Sequence, residues 1–153
     1  MSTTETENKE VSRSHAEELV GEGNLDVAAD HVADDYVWHR PRRDAVHGPD
    51  GVKEFVSGFL DTFPDLEVTV EDLIAEDDKV ARRDRFAGTH ELTGKEVEVE
   101  GIVINRIEDG QMVESWGQSD MMGLMKQLGF YVVPGPGLML RMAIGKVKSL
   151  FYG

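Results

Sequence analysis

The spacing of the apolar residues changes at Pro64, and that change confines the chain to one broad architecture. Before it, Val52, Phe55, Val56, Phe59, Leu60 and Phe63 recur at i, i+3 and i+4, the pattern of one helix face, after a Gly48-Pro49-Asp50-Gly51 turn. Beyond it, Leu66, Val68 and Val70 alternate with Glu67, Thr69 and Glu71, the period of a half-buried strand that runs on through Leu73, Ile74 and Ala75. Glu76-Asp77-Asp78-Lys79 reads as a turn and Val80 to Thr89 as the returning strand. A third strand is expected over Lys95 to Ile107. A fourth is expected over Gln111 to Asp120, because Asp109-Gly110 supplies the positive φ values of a tight hairpin. Upstream, Val11, His15, Ala16, Leu19 and Val20 follow helical spacing until Gly21 and Gly23. Asn24 offers a cap to a second helix carrying Leu25, Ala28, Ala29 and Val32 and ending at Ala33, and Tyr36 to Pro41 reads as extended. Helices followed by antiparallel hairpins predict an α+β domain with helices packed on one face of a curved sheet.

A chain of 153 residues forms one domain with a sizeable core. Residues 1–10 are polar and are expected to be a disordered tail, residues 11–130 the domain, and residues 131–153 an apolar, basic helical extension. In the extension Leu138, Met139, Leu140, Met142, Ala143, Ile144, Val147, Leu150 and Phe151 give a broad apolar surface, with Arg141, Lys146 and Lys148 beside it. Such a helix requires cover. Its own domain or a second subunit is the expected source, giving a homodimer or higher homo-oligomer, and peripheral contact with an anionic membrane is the sharper alternative.

Charge narrows the partners. The net charge is −14, and residues 131–153 carry +3 with no acid, which leaves −17 on residues 1–130. A polyanion is repelled by such a surface, so nucleic acid is not an expected partner. The acid excess suits a protein that works at high ionic strength, or is simply a solvated surface. No cysteine is present, which removes thiol chemistry and fits a reducing compartment, and the polar start lacks a signal-peptide pattern, so a cytoplasmic location is expected. No apolar run approaches the ~20 residues of a membrane span.

The chemistry is expected at the end of the fourth strand. In Trp116-Gly117-Gln118-Ser119-Asp120, alternation puts Trp116, Gln118 and Asp120 on one face. An aromatic plate, an amide and an acid make one wall of a pocket, and an acid shielded by apolar surface exchanges protons near neutral pH. Asp120 also precedes a Met-rich helix, Met121 to Gly129, where an aspartate caps free N–H groups; both readings stand. Two isolated histidines, His39 and His90, lack a third spaced ligand, so no metal site is expected. Arg83 either binds substrate oxygen or pairs with a cavity acid; it neighbours Asp84, and adjacent strand residues face opposite ways.

These pieces together resemble the SnoaL-like polyketide cyclases, within the cone-shaped α+β domains similar to nuclear transport factor 2. The resemblance rests on Trp38-His39-Arg40-Pro41, Gly48-x-x-Gly51, Phe63-Pro64-Asp65, Glu71-Asp72, Arg83, Gly88-Thr89-His90, Thr93-Gly94-Lys95 and Gly101-Ile102. Arg106-Ile107, Asp109-Gly110, Glu114-x-Trp116, Asp120 and Gln127-Leu128-Gly129 complete it over roughly residues 10 to 130. The resemblance implies a deep cavity between sheet and helices that holds a small hydrophobic molecule. It implies an acid/base role for Asp120 in an aldol-type ring closure, without metal or cofactor. His39 is a further catalytic candidate, and Trp38, Arg83, His90, Asn105, Trp116 and Gln118 are candidates for holding the substrate. A cavity that binds without turnover is the alternative.

Overall fold

The computed structural model describes residues 3–131 and 133–152. Helix α1, Thr3–Ser14, passes into a π-helical stretch, His15–Gly21, and a 3₁₀ turn, Leu25–Val27, leads into the short α2, Ala28–His31. Strand β1 (Val32–His39) and the two-residue β2 (Val46–His47) precede α3, Gly48–Thr62. Four long strands follow: β3 Glu67–Glu76, β4 Lys79–Thr89, β5 Glu96–Glu108 and β6 Gln111–Ser119. Helices α4, Met121–Leu128, and α5, Pro136–Tyr152, end the chain. The sheet order is β2-β1-β6-β5-β4-β3, and helices pack on one face of this curved, six-stranded sheet, as the change of period predicts.

Three expectations are corrected. Residues 3–10 are helical rather than a tail, because Asn8 and Ser12, one turn apart, face inward and are buried; Asn8 donates to the Asp77 carbonyl. A polar buried face gives no hydrophobic periodicity, so the helix was invisible to pattern reading; Met1 and Ser2 lie outside the described residues. Asn24 makes no side-chain cap, and the chain turns extended at Val32. The sheet is mixed, since β1 runs parallel to β6 while the other pairs are antiparallel. A parallel pair needs a long crossover, here everything from α3 through β5, and leaves no local trace.

Inward-facing residues sort into two apolar clusters, with Val20 and Leu60 packed against both. One holds Leu19, Val32, Tyr36, Val52, Val56, Val80, Ile107 and Met112; the other holds Phe63, Leu66, Val97, Val99 and Leu124. The far end of β4 is pinned by Asp65, whose carboxylate accepts from the Thr89 N–H (2.6 Å) and hydroxyl (2.7 Å), which holds its pKa below the usual carboxylate range. In α5, Leu138, Met139, Leu140, Met142 and Ile144 are all exposed; the side chains of Lys146, Val147, Lys148, Leu150 and Phe151 lie outside those described. No helix among the described residues is long and apolar enough to cross a membrane.

Candidate active site

Residues Val80, Arg82, Asp84 and Phe86 alternate inward along β4, so the apolar face set by Val80 is interrupted by an ion pair. The guanidinium Nε of Arg82 donates to both oxygens of Asp84, at 2.7 and 2.9 Å, and the two residues are 5% and 3% exposed. Arg82 Nη1 also donates to Ser12, at its carbonyl and, at 3.2 Å, at its hydroxyl. Asn105 donates to Ser12 Oγ (2.7 Å) and accepts from Ser115 Oγ (2.8 Å), and Ser115 is hydrogen-bonded to Tyr36. The result is a continuous buried chain, Tyr36–Ser115–Asn105–Ser12–Arg82–Asp84, in which each polar group has a partner, as burial demands.

Cross-strand neighbours of this chain are small. Asp84 lies opposite Gly101, which lies opposite Ser119; Arg82 lies opposite Val103, which lies opposite Gly117. The missing side chains leave a cavity of about 690 Å³ over the sheet. Arg82, Asp84, Asn105, Ser115, Tyr36 and His15 supply its polar surface, while Phe55, Phe59, Phe63, Phe86, Val97 and Leu124 are among its apolar walls. Volume and lining suit one small, largely hydrophobic ligand.

Burial sets the charge states. It pushes the Asp84 carboxyl above the usual carboxylate range; the charge and hydrogen bonds of Arg82 pull it back, and nearby Glu17 pushes it up again. Tyr36 is raised to about 12 by burial, against the bond to Ser115, so its hydroxyl stays protonated. The His15 ring is lowered to about 3 by burial, then by the charges of Arg82 and His31, and is therefore neutral. Its buried Nδ1 has no hydrogen-bond partner, nor has Trp38 Nε1, which lies over Gly117 where a Cβ would approach it to 3.2 Å.

The residues singled out from sequence divide between the two faces. Trp38 and Asn105 line the cavity; Trp38 packs edge-on against Phe55, with ring centroids 4.7 Å apart. His90 and Gln118 also border it, with His90 Nδ1 3.0 Å from the Thr93 hydroxyl. The remaining four lie outside. Arg83 pairs with Glu71 and with Asp72 (2.7 Å) on the opposite face, since its parity is opposite to that of Arg82. His39 stacks on Trp116 at 5.6 Å and contacts Glu114 Oε1 at 2.8 Å on that outer face. Asp120 is exposed and caps α4, accepting from the Gly123 N–H at 2.8 Å; a Cβ on Gly123 would come within 2.1 Å of its carboxylate. Neither Asp120 nor His39, the residues expected to carry the acid/base step, is among those that line the cavity.

A bulge explains the inversion on β6. Arg106 pairs with Glu114 and Ile107 with Met112, so Val113 is an extra residue. Met112 faces the core, and after Val113 the inward positions are Ser115, Gly117 and Ser119, which turns Trp116 outward and leaves Gln118 only at the cavity's border. The missed group, Arg82 with Asp84, did carry a signal. Val80 fixes the inward parity of β4, and both residues share it.

The comparisons with known proteins agree with this fold. The model of the SnoaL-like polyketide cyclase family matches residues 10–128. No curated protein matches the sequence. Among solved structures, a candidate SnoaL-like polyketide cyclase from Jannaschia sp. CCS1 is 25% identical, with a TM-score of 0.78 over 86% of this chain and 98% of its own. IdmH, a candidate polyketide cyclase from Streptomyces antibioticus, is 28% identical, with a TM-score of 0.72 over 80% of this chain and 99% of its own. AclR, a candidate hydroxylase from Streptomyces galilaeus, is 24% identical and shares the fold, with a TM-score of 0.73 over 97% of this chain and 98% of its own. With the family model running from the end of α1 through the whole sheet to α4, the chain belongs to the SnoaL-like polyketide cyclase family.

Proposed function

We propose that this protein is an acid/base enzyme acting on a small hydrophobic carbonyl compound without a cofactor, with Asp84 as the proton-transfer group. The observation that carries this reading is the buried Asp84–Arg82 pair on the polar wall of an otherwise apolar cavity. The Asp84 carboxylate takes a proton from the carbon beside the substrate carbonyl. The released electron pair becomes an enolate, whose oxygen gains from the positive charge of Arg82. The enolate carbon then attacks a second carbonyl, closing a ring, and the new alkoxide oxygen takes the proton back from Asp84; in an enolate conjugated to a double bond, the far carbon takes that proton instead. Cyclisation and isomerisation are thus two outcomes of one step. A binding module without turnover is the second reading, favoured by the engagement of both Asp84 oxygens with Arg82.

Exchange of substrate hydrogens in D₂O separates the two. With 1-tetralone as a hydrophobic ketone probe, proton NMR is expected to show protein-catalysed loss of the α-hydrogen signal. Asp84→Asn is expected to slow this by about 10²-fold or more, while calorimetric binding persists. Asp120→Ala is expected to cost only about 1 kcal/mol of stability through the lost cap, with exchange unchanged. Binding without exchange in the wild type supports the second reading instead.

The proposal extends to assembly. Every apolar side chain described in α5 is exposed, and its segment, at +3, is complementary to the −17 of the body. A second copy fits this better than an anionic membrane, which the body would repel. The outer sheet face offers Ile74, Ile104 and Trp116, exposed and in one cross-strand row, near Glu71, Asp72 and Glu114. Removing residues 134–153 is expected to lower the mass seen by light scattering to that of a monomer; an unchanged mass rules this out.

A further inference from the structure

The loop after β1 gathers Arg40, Arg42 and Arg43 within four residues of a chain that carries 30 acidic side chains against 16 basic ones. In such a surface arginines find carboxylates readily. Arg13, Arg82, Arg83, Arg85 and Arg106 each pair with one. Among the described residues no carboxylate lies within ion-pair distance of Arg40, Arg42 or Arg43. The loop is nonetheless built. Arg40 donates from Nε (2.9 Å) and Nη2 (2.6 Å) to the main-chain carbonyl of Asp44, and the Arg43 N–H returns to the Arg40 carbonyl at 3.3 Å. The Arg40 guanidinium lies 5.8 Å from the Trp38 ring centroid and 5.4 Å from that of Phe55. Trp38, Phe55, Arg40, Pro41 and Arg43 all line the cavity.

We infer that the ligand of this cavity carries an oxyanion, carboxylate or phosphate ester, which docks on Arg40 and Arg43 while its apolar body occupies the space between Trp38 and the Arg82–Asp84 pair. The inference deepens the function proposed above and rests on its cavity. Three unneutralised guanidiniums beside a cavity lined by low-dielectric walls make a local positive potential in an otherwise negative field, so an anionic ligand is drawn to this place and repelled elsewhere. Arg40 and Arg43 are then substrate-binding residues. Arg42, exposed and with φ of 55°, adds charge to the approach.

Calorimetric titration of the full chain with 2-naphthylacetate, 2-naphthyl phosphate and methyl 2-naphthylacetate tests this without requiring turnover. Either anion is expected to bind at least about tenfold more tightly than the neutral ester at low salt, with the gap shrinking as salt rises. The preferred anion identifies the source of the charge. In the Arg42→Gln/Arg43→Gln variant the gap is expected to close through weaker anion binding, while retained ester binding reports an intact fold. Equal or tighter binding of the ester to the wild type overturns the oxyanion site and leaves the hydrophobic cavity standing. Failure of all three compounds to bind overturns both.

Discussion

Replacing Arg82 by leucine is expected to destabilise the protein by about 3–5 kcal/mol at pH 8. Asp84 then remains buried with its positive partner gone, and the Ser12 carbonyl and hydroxyl lose the donor they share. Asp84→Leu alone is expected to cost a similar amount, because Arg82 cannot shed its charge. The double variant, Arg82→Leu with Asp84→Leu, is expected to recover most of the loss, since two apolar residues need no partner in a cavity wall already rich in phenylalanine and valine. Urea unfolding of the four proteins measures the coupling directly. A double variant that loses the sum of the singles would show that the pair is not a unit. The Arg82→Leu penalty also depends on pH. Burial already raises the Asp84 pKa, and Arg82 is the chief influence opposing the rise. Without it the carboxyl protonates more readily, so the variant recovers stability as the pH is lowered through that raised pKa.

Acid is expected to weaken the wild-type protein through His15. Its ring titrates near 3 in the fold and near 6.5 when unfolded, so the unfolded chain binds the proton first as the pH falls. The stabilisation is fully present above pH 6.5 and is lost progressively from there down to about pH 3, on the order of 5 kcal/mol in total. Asp84 works in the opposite sense, since its protonation relieves a buried charge. The measured slope is therefore a difference, and the informative quantity is wild type against His15→Gln. The variant is expected to flatten the fall in urea midpoint between pH 6.5 and 4. Parallel curves for the two proteins would place the acid sensitivity elsewhere, for instance at Asp65 or Glu114, whose carboxyls are also held low by their partners.

Both predictions concern residues that a pattern search passes over, and the reason is physical. Hydrophobic periodicity reports where apolar side chains are needed, so it located α3 and the four long strands, while turn chemistry located Asp109-Gly110. It says nothing of positions where burial is satisfied by hydrogen bonds. Asn8 and Ser12 in α1 and Arg82 and Asp84 in β4 read as solvated surface, yet all four are buried; Asn8, Ser12 and Arg82 have partners distant in sequence, Asp77, Asn105 and Ser12, and Asp84 is held by Arg82. The family motifs were legible because many are local devices. Asp120 caps α4, and Gly129, with φ of 97°, ends that helix.

The sequence by itself determined the order of the elements, the α+β class and the alternation within each strand, because these follow from side-chain spacing along a short stretch of backbone. Only the tertiary structure decided which alternate set faces the cavity. On β6 a single extra residue, Val113, reverses the parity that puts Trp116 and Asp120 on the inner face, and a bulge of this kind is defined by pairing with β5. On β4 the same dependence places Arg82 beside Asp84 under Gly101 and sends Arg83 to the outer carboxylates. An apolar neighbour such as Val80 marks the face of a charged residue only while the strand keeps its alternation, and that is decided by the strands paired with it.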